Sequence, residues 1–189
     1  MGNNFINKIS NLFKEKGETE YYGEKVSISD HVLQAAYWAE KRNLEKSLIV
    51  GGLLHDIGHL ISESGEDYLD KGNDNSHELI GFKYLSKFMP PEVTIPIKLH
   101  VSAKRYLCTT DHTYFSELSE ASKKSFYLQG GKMDVSEKRK FEEQKFFKEA
   151  IALRKCDDVA KNPNLTTPSL KYYFGIMEQF LPGAKFNKF

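Results

Sequence analysis

Apolar residues recur every three to four positions along most of the chain, which is the spacing of a helix with one buried face. The first such pattern predicts a helix over residues 4–16, which Gly17 ends. A second predicts the helix Asp30–Arg42 with Ser29 as its N-cap, and a third predicts the helix Glu45–Leu54. The chain therefore begins as a series of amphipathic helices.

The helical pattern continues to the end of the chain. A polar segment, Glu63–Asn75, predicts one long loop. Ser76 is predicted to cap the helix after it, and Asp134 or Ser136 to cap a long charged helix. Pro96 fits its helix only within the first turn. No strand-like alternation stands out, so we predict an all-α domain. The later helices are expected over residues 77–88, 93–107, 121–128, 137–157 and 168–182.

Composition excludes several classes of partner. The chain has 189 residues, 27 basic and 26 acidic, so its net charge of +1 gives no reason to expect nucleic-acid or membrane binding. No apolar run approaches the roughly 18 residues that a membrane span needs, and the opening residues lack a signal-peptide core. Two cysteines, Cys108 and Cys156, fit a reducing compartment, so we expect a cytoplasmic protein.

The candidate chemistry centres on His55 and Asp56, which follow an apolar helix directly. Considered alone, a histidine in such a helix is more often a core or capping residue than a metal ligand. Taken together, four histidines and two aspartates on separate predicted helices indicate a metal centre inside a helical bundle. The set contains no thiolate, which argues against structural zinc and suits iron, manganese or zinc in a reactive site. Six ligands with one bridging carboxylate can serve two ions. The candidates are His31, His55, Asp56, His77, His100 and Asp157.

The order of His31, the His55–Asp56 pair and Asp157 resembles the HD-domain superfamily, whose members are mostly metal-dependent phosphohydrolases. Such a resemblance implies an all-α HD-domain helical bundle with a dinuclear metal site in its core. The whole chain, 1–189, is then a single HD-type domain. Its parts are an N-terminal helix at about 4–16, a lid segment at about 20–25, a metal-binding core at about 28–160 and a C-terminal helix at about 168–182.

Four further stretches resemble one oxygenase branch of that superfamily, the mixed-valence diiron enzymes that cleave the C–P bond of 1-hydroxyphosphonates. These are Tyr21–Glu24, Leu99–Leu107 (LHVSAKRYL), Leu118–Ser122 and Gln129–Asp134 (QGGKMD). The match runs from about residue 20 to residue 160. It implies an O2-dependent dioxygenase with two iron ions, Fe(II)/Fe(III), that forms phosphate and a carboxylic acid. The substrate is 2-amino-1-hydroxyethylphosphonate or its N-trimethyl or hydroxymethyl relative, supplied by a separate hydroxylase.

The resemblance also divides the six ligands. It assigns His31, His55 and Asp157 to one iron, with Asp56 as the bridge to the other. His77 and His100 complete the second iron, which keeps open positions for the substrate. In the lid, the resemblance implies that Tyr21 ligates the open iron before substrate arrives and that Glu24 meets the substrate's amino group. A surface loop packed by its tyrosines is the alternative for that segment.

The substrate pocket is expected to hold the phosphonate with cationic and hydroxyl groups. Lys104 lies four residues after His100, and Arg154 three before Asp157, so each shares a helix face with a predicted ligand. The resemblance adds His59, Ser122 and Ser125 to this pocket and gives Tyr21, Glu24, His59 and Lys104 catalytic roles. The alternatives are a solvated Lys and Arg, helix-capping serines and a core histidine.

Two other functions compete with the oxygenase. An HD phosphohydrolase would use the same six ligands to activate water against a phosphate ester. A degenerate HD module with a regulatory role would lack ligands, and none of the six is missing here. The sequence leaves the natural substrate and the oligomeric state undecided.

Overall fold

The computed structural model describes residues 2–62 and 76–183. Within those ranges the all-α prediction is confirmed, since the sole β-type pairing there is an isolated bridge between Glu20 and Ser27. The predicted loop Glu63–Asn75 lies outside the described residues. The helices are α1 (Gly2–Lys16), α2 (Ile28–Lys41), α3 (Lys46–Leu54), α4 (Ile57–Ile61), α5 (His77–Leu85), α6 (Pro91–Thr110), α7 (Tyr114–Glu117), α8 (Glu120–Leu128), α9 (Val135–Glu142), α10 (Phe147–Asp158) and α11 (Leu170–Met177), with a 3₁₀ turn at Glu178–Phe180.

The main core is built around α3, whose sequence is apolar on all sides. Leu48, Leu53 and Leu54 are buried there, and α2, α6 and α10 pack against the helix. Each fully buried aliphatic side chain contributes about 1.5–3 kcal/mol. The helices that surround α3 are also the ones that carry the predicted ligands, so packing of the core fixes the geometry of the site.

Helix α2 begins two residues earlier than predicted, because Ser27 and not Ser29 is the N-cap. Ser27 Oγ accepts a hydrogen bond from the Asp30 amide at 3.0 Å, and the Asp30 carboxylate accepts one from the Ser27 amide at 3.4 Å. This reciprocal pair requires an acid three residues after the cap. Ser29 has Val32 at that position and is itself buried.

The predicted long helix 137–157 is two helices, α9 and α10. Asp134, one of the two predicted caps, begins α9 by accepting a hydrogen bond from the Glu137 amide at 2.8 Å. The chain then breaks at Phe146, whose φ of +67° is left-handed. The break lets Phe141 and Phe147 pack edge to face, with ring centroids 6.0 Å apart, in the cluster beneath α6. Tertiary packing therefore overrides a continuous helical pattern.

Two other boundary predictions were wrong in detail. Helix α6 starts at Pro91, so Pro96 lies beyond the first turn and deprives one carbonyl of its helical donor. Ser76 occupies the N-cap position before α5 as predicted, but its φ of +49° is left-handed and its side chain makes no capping hydrogen bond. The last helix begins after Ser169, whose hydroxyl accepts from the Tyr172 amide. Of the helices described, none is both long enough and apolar enough to cross a bilayer.

Gly58 lets α4 and α5 meet closely. A Cβ at Gly58 would lie 1.9 Å from the His77 carbonyl oxygen, a backbone atom that cannot rotate away. We expect Gly58→Ala to lower the free energy of unfolding by about 3 kcal/mol, the upper end of the overpacking range. Urea denaturation measures the change.

Gly175→Ala is the matched control for that substitution. Gly175 is exposed in α11, and a Cβ there would have no atom within 4 Å. The control is expected to stabilise the protein by about 0.5–1 kcal/mol through helix propensity. A Gly58→Ala protein as stable as the wild type would disprove the close packing of α4 on α5.

Candidate metal centre and active site

Five segments of the core deliver the six predicted ligands to one place. His31 comes from α2, His55 and Asp56 from the turn after α3, and His77 from the first residue of α5. His100 lies in the middle of α6 and Asp157 near the end of α10. All six side chains are buried. The apolar faces that form the core therefore also bring these polar side chains together.

One group of ligand atoms surrounds the Nε2 atoms of His31 and His55, which lie 3.2 Å apart. Asp157 Oδ1 lies 3.3 Å from the first and 3.9 Å from the second. Asp56 Oδ2 lies 3.6 Å and 3.4 Å from the same two nitrogens. Metal–ligand bonds of about 2.1 Å give ligand–ligand edges of about 3.0–3.4 Å. These four atoms can therefore enclose one cation.

A second group faces the other oxygen of Asp56. His77 Nε2 and His100 Nε2 lie 3.2 Å apart, at 3.3 Å and 3.7 Å from Asp56 Oδ1. The two carboxylate oxygens of Asp56 thus face different pairs of imidazoles. That arrangement is the one a bridging carboxylate needs. Among the residues that the structure describes, His59 also brings a ring nitrogen within 4.8 Å of ligand atoms of Asp56 and His77, so it is a further candidate for this group.

The hydrogen bonds on the far side of the rings show that the donor set fits a cation. A backbone carbonyl can only accept, so each imidazole that bonds one donates its Nδ1 proton, and in the neutral ring Nε2 then carries a lone pair. Two neutral rings with such lone pairs 3.2 Å apart repel each other unless a cation lies between them. The bonds are His31 Nδ1 to Ala160 O at 2.8 Å, His55 Nδ1 to Gly52 O at 2.9 Å, and His100 Nδ1 to Ile97 O at 2.7 Å.

The protonation states agree with this donor set. Burial, and then the neighbouring His77, lowers the pKa of His100 to about 3, so its imidazole is neutral at ordinary pH. Burial alone would raise the pKa of Asp56, but His55 and His77 hold that pKa well below its usual range. Neutral imidazoles and ionised carboxylates are the forms that bind metals.

Arg154 is placed mainly to hold Asp157. Its Nη1 lies 2.8 Å from Asp157 Oδ2, and its Nη2 pairs with Asp158. Nε donates to the Tyr114 hydroxyl at 3.2 Å, and Nη2 also reaches Ser122 Oγ at 3.5 Å. Four of the five guanidinium N–H donors therefore face protein atoms. The geometry makes Arg154 a positioning group for Asp157, and its predicted contact with a phosphonate remains a prediction.

Lys104 is the better placed cation for an anionic substrate. It is 2% exposed, lines the same pocket as His77 and His100, and donates to Ser125 Oγ at 2.7 Å. Burial, and then the charge of Arg154, lowers the pKa of Lys104 to about 7. A buried ammonium with one hydroxyl partner retains donors for a ligand.

The predicted lid segment closes the pocket. Tyr21 donates from its hydroxyl to Asp56 Oδ2 at 2.7 Å, and its ring stacks on His31 with centroids 3.8 Å apart. Tyr22 and Gly23 have φ values of 43° and 78°, which turn the chain back over the site. Glu24 also lines the pocket. The segment is therefore packed on the predicted ligands and is not an ordinary surface loop.

His59 lies where the pocket meets the second group of ligands. Its ring stacks on His77 with centroids 3.9 Å apart and contacts the Tyr22 ring at 4.7 Å. Among the residues that the structure describes, the buried Nδ1 of His59 has no hydrogen-bond partner. An unsatisfied buried donor or acceptor beside a pocket is suited to a polar ligand.

Sequence reasoning missed one pocket residue, Lys161, in the segment after α10. Its Nζ lies 3.0 Å from Glu24 Oε1 and donates to Ser119 Oγ at 2.8 Å and Ser122 Oγ at 3.0 Å. Helical spacing gives no signal for Lys161, because it lies beyond the end of α10 at Asp158 and shares no helix face with Asp157. Only the tertiary structure brings it to the pocket.

Comparison with known proteins identifies this arrangement. Residues 28–157, which span the whole ligand set, match the family model described as the HD domain. The chain belongs to the HD-domain family. The HD-domain prediction made from the order of His31, His55, Asp56 and Asp157 is therefore confirmed.

Relatives of this HD-domain protein include named phosphonate dioxygenases. It is 40% identical over 178 residues to the [1-hydroxy-2-(trimethylamino)ethyl]phosphonate dioxygenase (glycine-betaine-forming) of Leisingera caerulea, with 94% of this chain and 91% of the relative covered. It is also 40% identical over 177 residues to the hydroxymethylphosphonate dioxygenase of Gimesia maris, with 93% and 88% covered. An uncharacterized protein of Acanthamoeba polyphaga mimivirus is 35% identical over 185 residues. The resemblance to HD-domain hydroxyphosphonate dioxygenases is thus confirmed.

Proposed function

We propose that this protein is a dioxygenase that cleaves the C–P bond of a 1-hydroxyphosphonate with O2. The balanced reaction is RCH(OH)PO₃²⁻ + O₂ → RCOO⁻ + HPO₄²⁻ + H⁺. The C–P bond and one C1–H bond break, carbon is oxidised, and O2 is reduced with one oxygen atom entering each product. A separate hydroxylase, which places the hydroxyl on C1, must supply such a substrate.

The observation that carries the proposal is the position of Asp56 between two pairs of imidazoles, beside a pocket with a buried lysine. We assign His31, His55, Asp157 and Asp56 Oδ2 to one ion, and His77, His100 and Asp56 Oδ1 to the other. The thiolate-free donor set suits iron. When bound, an Fe(II)/Fe(III) pair supplies the redox chemistry with O2 that zinc and magnesium cannot.

The pocket residues act on the phosphonate group. Lys104 presents an ammonium to the dianion, and its hydrogen bond to Ser125 orients it. Ser122 and His59 add polar atoms along the same wall. Charge-assisted hydrogen bonds of this kind hold the phosphonate in one orientation. The hydroxyl-bearing carbon then faces the side of the pocket lined by Asp56, His77 and His100.

Tyr21 lies against the first group of ligands. Its hydroxyl donates to Asp56 Oδ2 and its ring stacks on His31, so the lid segment must move before a substrate can reach those atoms. After substrate enters, closure of the same segment excludes water from the reacting carbon. Tyr21 and Glu24 thus have the catalytic roles that the resemblance implied, as part of this proposal.

The test is O2-dependent phosphate release. Protein loaded with iron under anaerobic conditions is mixed with hydroxymethylphosphonate, 2-amino-1-hydroxyethylphosphonate or the trimethylammonium compound, and products are identified by phosphorus NMR. We expect inorganic phosphate and the matching carboxylate from at least one compound, only after O2 is admitted. Phosphate released from phosphate esters without O2 would establish the hydrolase instead. No phosphate from any compound in air would reject the dioxygenase.

A further inference from the structure

The carboxylate expected to meet a cationic substrate already has a cationic partner. Lys161 Nζ lies 3.0 Å from Glu24 Oε1, and the two side chains are only 14% and 15% exposed. Both residues line the pocket beside Ser122. The contact lacks hydrogen-bond geometry, since Glu24 Oε1 accepts no hydrogen bond among the described residues. Partial burial nevertheless reduces the solvent screening of this ion pair relative to one on an open surface.

Lys161 is held in this position from several directions. Its ammonium donates to Ser119 Oγ, at the N-cap of α8, and to Ser122 Oγ. The backbone beside it is fixed by Gln34, which is 1% exposed. Gln34 Nε2 donates to Asn162 O at 2.9 Å, and its Oε1 accepts from the Asn162 amide at 2.9 Å.

The other side of Lys161 is fixed as well. The Ala160 carbonyl accepts from His31 Nδ1 at 2.8 Å, which joins this segment to the predicted metal ligands. The ammonium is therefore preorganised at the pocket, with both neighbouring residues anchored to α2. A side chain held in this way loses little conformational entropy when it forms its ion pair.

A substrate with a positive charge at C2 must displace Lys161 from Glu24 or lie next to it. Displacement breaks a partly buried ion pair, and proximity places two like charges side by side. Hydroxymethylphosphonate has neither C2 nor a second charge, so it can bind with the pair intact. Both kinds of substrate occur in the names of the 40% identical relatives, and overall identity does not discriminate between them.

We propose that Lys161 is a specificity-determining residue that competes with the cation of the substrate for Glu24. By this competition it favours 1-hydroxyphosphonates without a positive charge at C2. The inference rests on the proposed function and deepens it by naming the substrate class. Lys161 acts here on Glu24, and the phosphonate group is left to Lys104.

The decisive variant is Lys161→Met, which keeps the length of the side chain and removes its charge. We expect the ratio of kcat/KM for 2-amino-1-hydroxyethylphosphonate to kcat/KM for hydroxymethylphosphonate to rise about 10-fold, mainly through a lower KM for the amino compound. Lys161→Arg should restore the wild-type ratio. Lys123→Met is the matched control, because Lys123 lies on α8 and pairs with the exposed Glu120. This control should leave the ratio unchanged.

Glu24→Gln breaks the same pair from the other side and should move the ratio in the opposite direction. The amino compound loses its carboxylate and meets an uncompensated Lys161, so the ratio is expected to fall about 10-fold. Opposite signs for the two variants separate competition from general damage to the lid. If Lys161→Met does not fold, Glu24→Gln alone decides the matter, since an unchanged ratio there contradicts the proposal.

Binding measured without turnover completes the test. Calorimetry on the iron-loaded protein in the absence of O2 should show tighter binding of the amino compound to Lys161→Met, and unchanged binding of hydroxymethylphosphonate. An unchanged or lower ratio in Lys161→Met overturns the inference. An equal loss of affinity for both compounds also overturns it, because that result would make Lys161 a ligand of the phosphonate group. A wild-type protein that turns over neither compound rejects the proposed function itself.

Discussion

Asp56→Ala is expected to lose both metal ions and all measurable phosphate release. Each oxygen of this carboxylate lies 3.3–3.7 Å from a different pair of imidazole nitrogens, so one substitution removes a ligand from both groups. Even the loss of a residue that only supports a ligand typically costs 10–100-fold in metal affinity, so loss of a shared ligand should cost at least about 100-fold. Metal analysis after anaerobic iron loading and desalting is the measurement, with two equivalents expected for the wild type.

Two further variants show whether the loss reflects bridging. His100→Ala removes a ligand from one group only, so one equivalent should remain. Asp111→Asn changes an exposed aspartate at the end of α6 whose carboxylate accepts from Thr113 and Tyr114, and it should retain two equivalents. Asp56→Ala protein that retains two full equivalents would refute the bridging role, whatever its activity.

Lys104→Met is expected to lower kcat/KM by about 10²-fold or more. The lysine is almost fully buried and, within the described part of the chain, donates to the Ser125 hydroxyl, so a phosphonate dianion in this pocket would depend on it for charge neutralisation. Loss of one partner from a buried charge pair costs about 2–5 kcal/mol, which corresponds to at least about 30-fold. Steady-state kinetics at saturating O2 give the value. A change of less than about 3-fold would remove Lys104 from the phosphonate site.

The same lysine predicts a dependence on pH. Its pKa of about 7 in the free protein means that the ammonium predominates below pH 7 and is lost as the pH rises. The kcat/KM should therefore fall above about pH 7, by up to 10-fold per pH unit. In Lys104→Arg the guanidinium stays charged, so this alkaline decline should disappear even if the maximum is lower. An identical alkaline limb in that variant would show that another group causes it.

Local sequence determined the elements and the kind of chemistry. The period of apolar residues was sufficient for α1, α3 and α8, because each helix buries one continuous face or is buried on all sides. The family resemblance and its motifs were readable because a metal or anion site needs particular side chains at particular spacings. Lys104, four residues after His100, is such a case, since the helix itself places both on one face.

Tertiary packing determined structural features that the period of apolar residues does not predict. The break at Phe146 depends on aromatic contacts beneath α6, and the cap at Ser27 depends on its reciprocal bond with Asp30. The pairing of Arg154 with Asp157 and Asp158 could not be predicted either, because helical spacing places side chains on one face without saying which atoms they reach.

The pocket shows most clearly what the sequence predicts and what depends on the tertiary structure. The sequence alone predicted an all-α HD-domain chain with six candidate metal ligands and a cationic pocket. Only the tertiary structure decided that the oxygens of Asp56 face separate imidazole pairs, and that Lys161 lies against Glu24. The physical reason is that helical periodicity fixes which face of a segment is buried, whereas contacts between distant segments depend on how those faces pack in three dimensions.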